Sequence, residues 1–88
     1  MVWYLYMLRC GNGDFYTGIT ANLERRLAEH QSRIGGRFTR MAHPVELVYQ
    51  EVFETSTEAK RRERQIKSWS RGKKLALIAG ERQALKAA

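Results

Sequence analysis

The sequence predicts a small α/β domain, with a three-stranded, mostly antiparallel sheet flanked by helices in the order β-β-α-β-α-α. Three observations carry that expectation. The chain has 88 residues, 43% hydrophobic and 28% charged, which suits one globular core and is too short for two. Segments rich in aromatic and β-branched residues are bounded by glycine, asparagine or proline, as strands are. Other segments place a capping residue ahead of apolar positions at helical spacing.

Residues 2–9, VWYLYMLR, read as the first strand, and GNGD at 11–14 is a hairpin turn. FYTGI returns as an antiparallel second strand, in which Gly18 predicts a bulge or a close backbone approach. Thr20 is expected to N-cap a helix running to about Gln31, with Leu23 and Leu27 as its buried stripe and Ala28 beside them. Residues 32–44 hold glycines and arginines without a period and read as a loop or a short helical turn. VELVYQEV, 45–52, is the third strand, begun by the only proline, Pro44. Thr55 or Ser56 caps a helix to about Trp69, and Ser70 caps a last helix that Gly80 ends or interrupts. The domain is drawn at residues 1–80, with 81–88, ERQALKAA, as a tail of frayed helix.

No apolar run approaches the ~20 residues that span a bilayer. MVWYLYML lacks a basic flank and a following small-residue cleavage site, so it reads as strand and not as a signal peptide. Cys10 is the only cysteine, which excludes an intrachain disulfide and a cysteine-based metal cluster. These features place the protein in the cytoplasm. The net charge is +7, and a pI near 10.1 in so small a domain points to a polyanionic partner, nucleic acid before a membrane surface. The charge is clustered: residues 60–74 hold eight basic residues against one acid, Glu63. Residues 33–40, RIGGRFTR, add Arg33, Arg37 and Arg40 and no acid.

Glu63 is the sharpest local feature. Ala59 and Ile66 are seven apart, and Glu63 falls on the same helix stripe. A carboxylate facing the body of a domain must be paired or bind a metal. Arginines 61, 62 and 64 are candidate partners, and Mg²⁺ accepts a single protein carboxylate when phosphates and waters complete its shell. Arg26 and His30 are neighbours at i and i+4 on the first helix, with Arg26 at the edge of the Leu23 stripe. Taken singly, Arg26 reads as surface charge, His30 as a partly buried histidine, and Tyr4, Tyr6 and Tyr16 as sheet residues. An arginine held at that edge also suits a phosphoryl group gaining charge in its transition state.

Together these residues give the chain a resemblance to the GIY-YIG nuclease superfamily, in particular its small stand-alone bacterial branch, over roughly residues 2–78. The Gly-Ile-Tyr motif falls on Tyr4-Leu5-Tyr6 and the Tyr-Ile-Gly motif on Tyr16-Thr17-Gly18. The family's catalytic arginine matches Arg26, with the adjacent Arg25 as the alternative if the register shifts by one; the His or Tyr one turn later matches His30, and the metal-binding glutamate matches Glu63. Three family features are not matched, the first being the glycine of the Gly-Ile-Tyr motif, where Tyr4 stands. Ile19 stands where some members have lysine, and residues 70–80 contain no asparagine. The resemblance implies a GIY-YIG-like fold and an endonuclease that hydrolyses phosphodiester bonds, with DNA the expected polymer. Glu63 would hold one Mg²⁺ or Mn²⁺, Tyr6 or Tyr16 would act on the attacking water, Arg26 would offset phosphoryl charge, and His30 would orient a tyrosine or the water. Arg33, Arg37, Arg40, Arg61, Arg64, Lys67, Lys73 and Lys74 would hold the flanking backbone, a contact that positions without reading sequence. Periodicity further implies that Glu63 shares a concave surface with Tyr6, Tyr16 and Arg26. The alternatives are a nucleic-acid-binding module without turnover, or a domain whose basic surface meets an acidic protein. The sequence leaves the oligomeric state open.

Overall fold

The computed structural model describes residues 1–32 and 45–87, with residues 81–87 described as helix backbone only. Its elements are β1 (Trp3–Cys10), β2 (Phe15–Thr20), α1 (Leu23–Gln31), β3 (Val45–Phe53), α2 (Ser56–Lys67) and α3 (Arg71–Ala87). The sheet order is β2-β1-β3, and both pairings are antiparallel. Arg33, Arg37 and Arg40, with the expected loop around them, lie outside the described residues.

β1 is central and covered on both faces, which explains a run of apolar residues where a one-sided strand would alternate. Leu5, Met7 and Leu8 are fully buried and Tyr6 is nearly so. Leu5 and Met7 pack with Ile66 of α2 and Ile78 of α3. Tyr6, Leu8 and Cys10 point the other way, against Leu23 and Leu27 of α1 and Val45 and Leu47 of β3. The sheet therefore separates α1 from α2 and α3. Met7 pairs with Tyr49 but Leu8 with Leu47, so Val48 is an extra residue in β3. That bulge lets the consecutive residues Val48 and Tyr49 both pack on the α2 side.

Gly13 closes the β1–β2 hairpin at φ 89, a conformation that glycine adopts without a Cβ penalty. Asn12 ties the turn by accepting from the Asp14 amide at 3.0 Å. The α1 cap is Asn22, whose Oδ1 accepts from the Arg25 amide at 3.0 Å, and not Thr20. Thr20 is still in the sheet, paired with Tyr4. Its hydroxyl instead bonds to the Asn22 backbone.

Thr55 caps α2, accepting from the Glu58 amide at 3.2 Å. The helix stops at Lys67, two residues before the expected end, because the Ser68 and Trp69 amides turn back to Gln65 and Ile66. Ser70 accepts from the Lys73 amide at 3.3 Å and opens α3. Gly80 does not end that helix, which continues to Ala87. A mid-helix glycine costs only ~1 kcal/mol, and the alanines and leucines around it are strong helix formers. Arg62 does not pair with Glu63. It pairs with Glu51 of β3 at 3.0 Å and lies 5.2 Å from the Trp69 ring centre, fastening α2 to the sheet.

Candidate active site

Tyr6 and Gly18 face each other across the β1–β2 ladder. A Cβ at position 18 would stand 2.6 Å from the Tyr6 hydroxyl and 2.8 Å from its Cζ. The missing side chain is what lets the phenol lie across β2, so Gly18 provides the close approach and not a bulge. The ring thereby reaches α1. Its hydroxyl is 3.0 Å from His30 Nε2, and Arg26 Nε donates to it at 3.4 Å. The Tyr16 ring centre lies 6.2 Å from that of Tyr6 and 5.1 Å from that of His30. Four of the five expected catalytic residues, Tyr6, Tyr16, Arg26 and His30, thus meet on one side of the sheet.

Burial favours the neutral forms of Tyr6 and His30. Tyr6 is pushed up to about 12, chiefly by burial, with the Arg26 hydrogen bond acting against it. His30 is fully buried, and burial followed by the Arg26 charge holds it below the ordinary histidine value. Arg26 is raised, mainly by its hydrogen bond with Tyr6. At neutral pH the cluster is a neutral phenol and a neutral imidazole around a fixed positive charge. Tyr6 is accordingly a poor base. Glu29, which carries no signal of its own in the sequence motifs, aims the guanidinium by accepting from Arg26 Nη1 at 3.1 Å. The opposite charges at i and i+3 were the available signal.

Glu63 is held separately, on α2. It lies in a groove of about 480 Å³ with Ile19, Lys60, Arg64 and Lys67. Its side chain is 23% exposed and ion-paired with Lys67 at 3.4 Å. Lys67 also lines a second groove of about 300 Å³ with Tyr16, Thr17 and Lys74. Where one concave surface holding Glu63, Tyr6, Tyr16 and Arg26 was expected, the structure has Glu63 in one groove and Tyr16 in another, joined by Lys67 at the β2 edge, and Tyr6 and Arg26 line neither. Among the described residues, no group of three or more histidine, cysteine, aspartate or glutamate side chains is arranged to hold a metal. Glu63 fits Mg²⁺ or Mn²⁺ only as a single-carboxylate ligand, with the remaining oxygens drawn from substrate and water.

The basic helix residues divide by role. Arg61 and Arg64 are exposed, and Lys74 is half-buried beside Tyr16. Lys73 Nζ lies 4.4 Å from the Trp69 ring centre. Arg71 lies 5.0 Å from that of Phe15 and donates to the Gly13 carbonyl at 2.6 Å. Tyr4 is outside the cluster and lines a separate hollow of about 520 Å³ with Leu23, Leu27 and Gln50. Among the described residues, no helix is long and apolar enough to cross a membrane.

Residues 2–76 match the family model described as the GIY-YIG catalytic domain. A UPF0213 protein of Natronomonas pharaonis is 49% identical over 78 residues, covering 89% of this chain and 92% of its own length. Another, from Staphylococcus saprophyticus, is 45% identical over 75 residues, covering 85% and 92%. Two solution NMR structures are similar. The UPF0213 protein BH0048 of Bacillus halodurans is 39% identical, with a TM-score of 0.59 over 90% of this chain and 84% of that one. Protein EF2693 of E. faecalis is 38% identical, with a TM-score of 0.65 over 94% and 88%.

Proposed function

The chain belongs to the GIY-YIG catalytic domain family, and from that premise we propose that it is a metal-dependent endonuclease. Its substrate is nucleic acid, DNA in the first instance, cleaved with structural or weak sequence preference. The observation that carries this reading is the Arg26 guanidinium, fixed between the Tyr6 hydroxyl and Glu29 and flanked by neutral tyrosine and histidine. Such a cluster holds a guanidinium in place for a phosphoryl group, with the Glu29 carboxylate as its present ion-pair partner. Preorganised charge of this kind is worth most in a partly water-excluded site.

Glu63 would hold the Mg²⁺ or Mn²⁺, which when bound supplies charge neutralisation at the scissile phosphate and the departing 3′ oxygen. Arg26 offsets the charge that builds on the phosphoryl oxygens. Tyr6, neutral and buried, positions Arg26 and links it to His30. That leaves Tyr16, half-buried at the rim of the Lys67 groove, to align the attacking water. Lys67 and Lys74 hold phosphate beside Tyr16, with Arg61, Arg64 and Lys73 on the exposed helix surface beyond. These contacts position the backbone and carry no base readout.

The Glu63–Lys67 ion pair favours a second reading, a nucleic-acid-binding module on the same scaffold without turnover. Ile19 and the absence of asparagine in residues 70–80 point the same way. Labelled duplex, flap, branched and single-stranded substrates, each with Mg²⁺ or Mn²⁺, separate the two. The nuclease reading expects cleavage of at least one substrate that stops on chelation. Binding to all of them with cleavage of none would leave the module.

A further inference from the structure

Lys67 holds a place that phosphate binding alone does not explain. Its Nζ is 3.4 Å from a Glu63 oxygen, and its side chain lines both grooves. Lys60 and Arg64 line the Glu63 groove as well, so three cations surround one carboxylate. A divalent ion arriving alone must displace an ammonium from Glu63 and then stand among those positive charges. A phosphodiester changes both terms. Its oxygens supply ligands that a lone carboxylate lacks. It also gives Lys67 another anion to meet, in the adjoining groove beside Lys74. Lysine suits such an exchange because it is a point charge on a flexible stem, where arginine would favour one planar bidentate partner.

We propose that Lys67 is a positioning residue that alternates between Glu63 and a substrate phosphate in the Tyr16 groove, so that divalent metal and nucleic acid bind this protein cooperatively. The inference rests on the metal-dependent nuclease reading. While Lys67 neutralises Glu63, the empty protein has low affinity for metal. When phosphate draws Lys67 away, the carboxylate is freed for the metal. Linkage requires the same coupling factor in both directions, from nucleic acid to metal and from metal to nucleic acid.

Mn²⁺ titrations followed by paramagnetic broadening of the amide resonances of residues 60–67 test this without reference to cleavage. They are run on wild type, Lys67→Gln and Glu63→Gln, with and without a short DNA duplex. In water, a unit charge ~5 Å from a divalent ion changes its affinity by roughly tenfold. Lys67→Gln alone should therefore bind Mn²⁺ about tenfold more tightly than wild type, and the duplex should then add correspondingly less. Equal Mn²⁺ affinity in wild type and Lys67→Gln, or an undiminished effect of the duplex, overturns the exchange while leaving Glu63 as the metal ligand. Broadening that is indifferent to Glu63→Gln in every combination removes the metal site, and the proposal with it.

Discussion

Gly18→Ala tests the geometry on which the cluster depends. The new Cβ would stand 2.6 Å from the Tyr6 hydroxyl and 2.8 Å from Cζ, about an ångström inside the ~3.5–4 Å of ordinary contact. At an uncrowded strand position the same change stabilises by roughly 0.4–1 kcal/mol through the unfolded chain. Here the ring must turn or β2 must shift, and overpacking of a filled core costs about 1–3 kcal/mol. A displaced hydroxyl also leaves His30, fully buried and 3.0 Å away, without this partner. The broken hydrogen bond adds roughly 0.5–1.5 kcal/mol. The expected net destabilisation of ~1–3 kcal/mol lowers Tm by ~10 °C in a domain of this size. Urea and thermal unfolding of wild type, Gly18→Ala, Tyr6→Phe and the double variant measure it. Removing the hydroxyl relieves the 2.6 Å contact but not the 2.8 Å one, so the alanine should cost less in the Tyr6→Phe background while still costing something. If Gly18→Ala is as stable as wild type, and behaves identically in both backgrounds, Tyr6 does not lie over Gly18.

Tyr6, pushed up to about 12, keeps its proton more tightly in the folded protein than in the unfolded chain. It therefore contributes stability that is whole below pH ~10 and lost as pH rises toward ~12. The alkaline loss should shrink in Tyr6→Phe. His30 has the opposite sign: its lowered value makes the unfolded state bind the proton first. Stability should then fall as pH drops below ~6.5, and NMR titration of the imidazole should show it neutral at pH 7. Glu63→Gln should preserve the fold and nucleic-acid binding while abolishing metal-dependent cleavage, and equal cleavage at matched Mg²⁺ would remove the single-carboxylate site. Neutralising two of Arg61, Arg64, Lys73 and Lys74 should weaken binding on all sequences alike, and should flatten the salt dependence by ~0.9 for each duplex phosphate that is no longer neutralised.

The fold was legible wherever one residue type had one physical use. The glycines and asparagine of residues 11–14 marked the hairpin, and Thr55 and Ser70 marked helix starts. The misplaced ends have separate causes: ladder pairing held Thr20 in the sheet, so the cap passed to Asn22. At Gly80 the helix continued because strong formers on both sides outweigh one glycine. In the site, helical spacing joined Arg26 to His30, and Gly18 announced a close approach without saying whose ring would make it. The partners of Glu63 and Arg62 were not legible. Five basic residues stand within four positions of Glu63 on its helix, and only tertiary packing assigns Arg62 to Glu51 and Lys67 to Glu63.

Arg26 carries the central claim, because transition-state stabilisation and phosphate clamping assign it different kinetics. A transition-state contact lowers turnover more than affinity. Single-turnover cleavage of one substrate in Mg²⁺, with a parallel affinity titration, compares wild type and Arg26→Ala. The expected result is a rate lowered ~100-fold or more, equivalent to ~2.7 kcal/mol, with affinity nearly unchanged. An affinity that falls as far as the rate would contradict it, and would make Arg26 one more phosphate clamp on a nucleic-acid-binding surface.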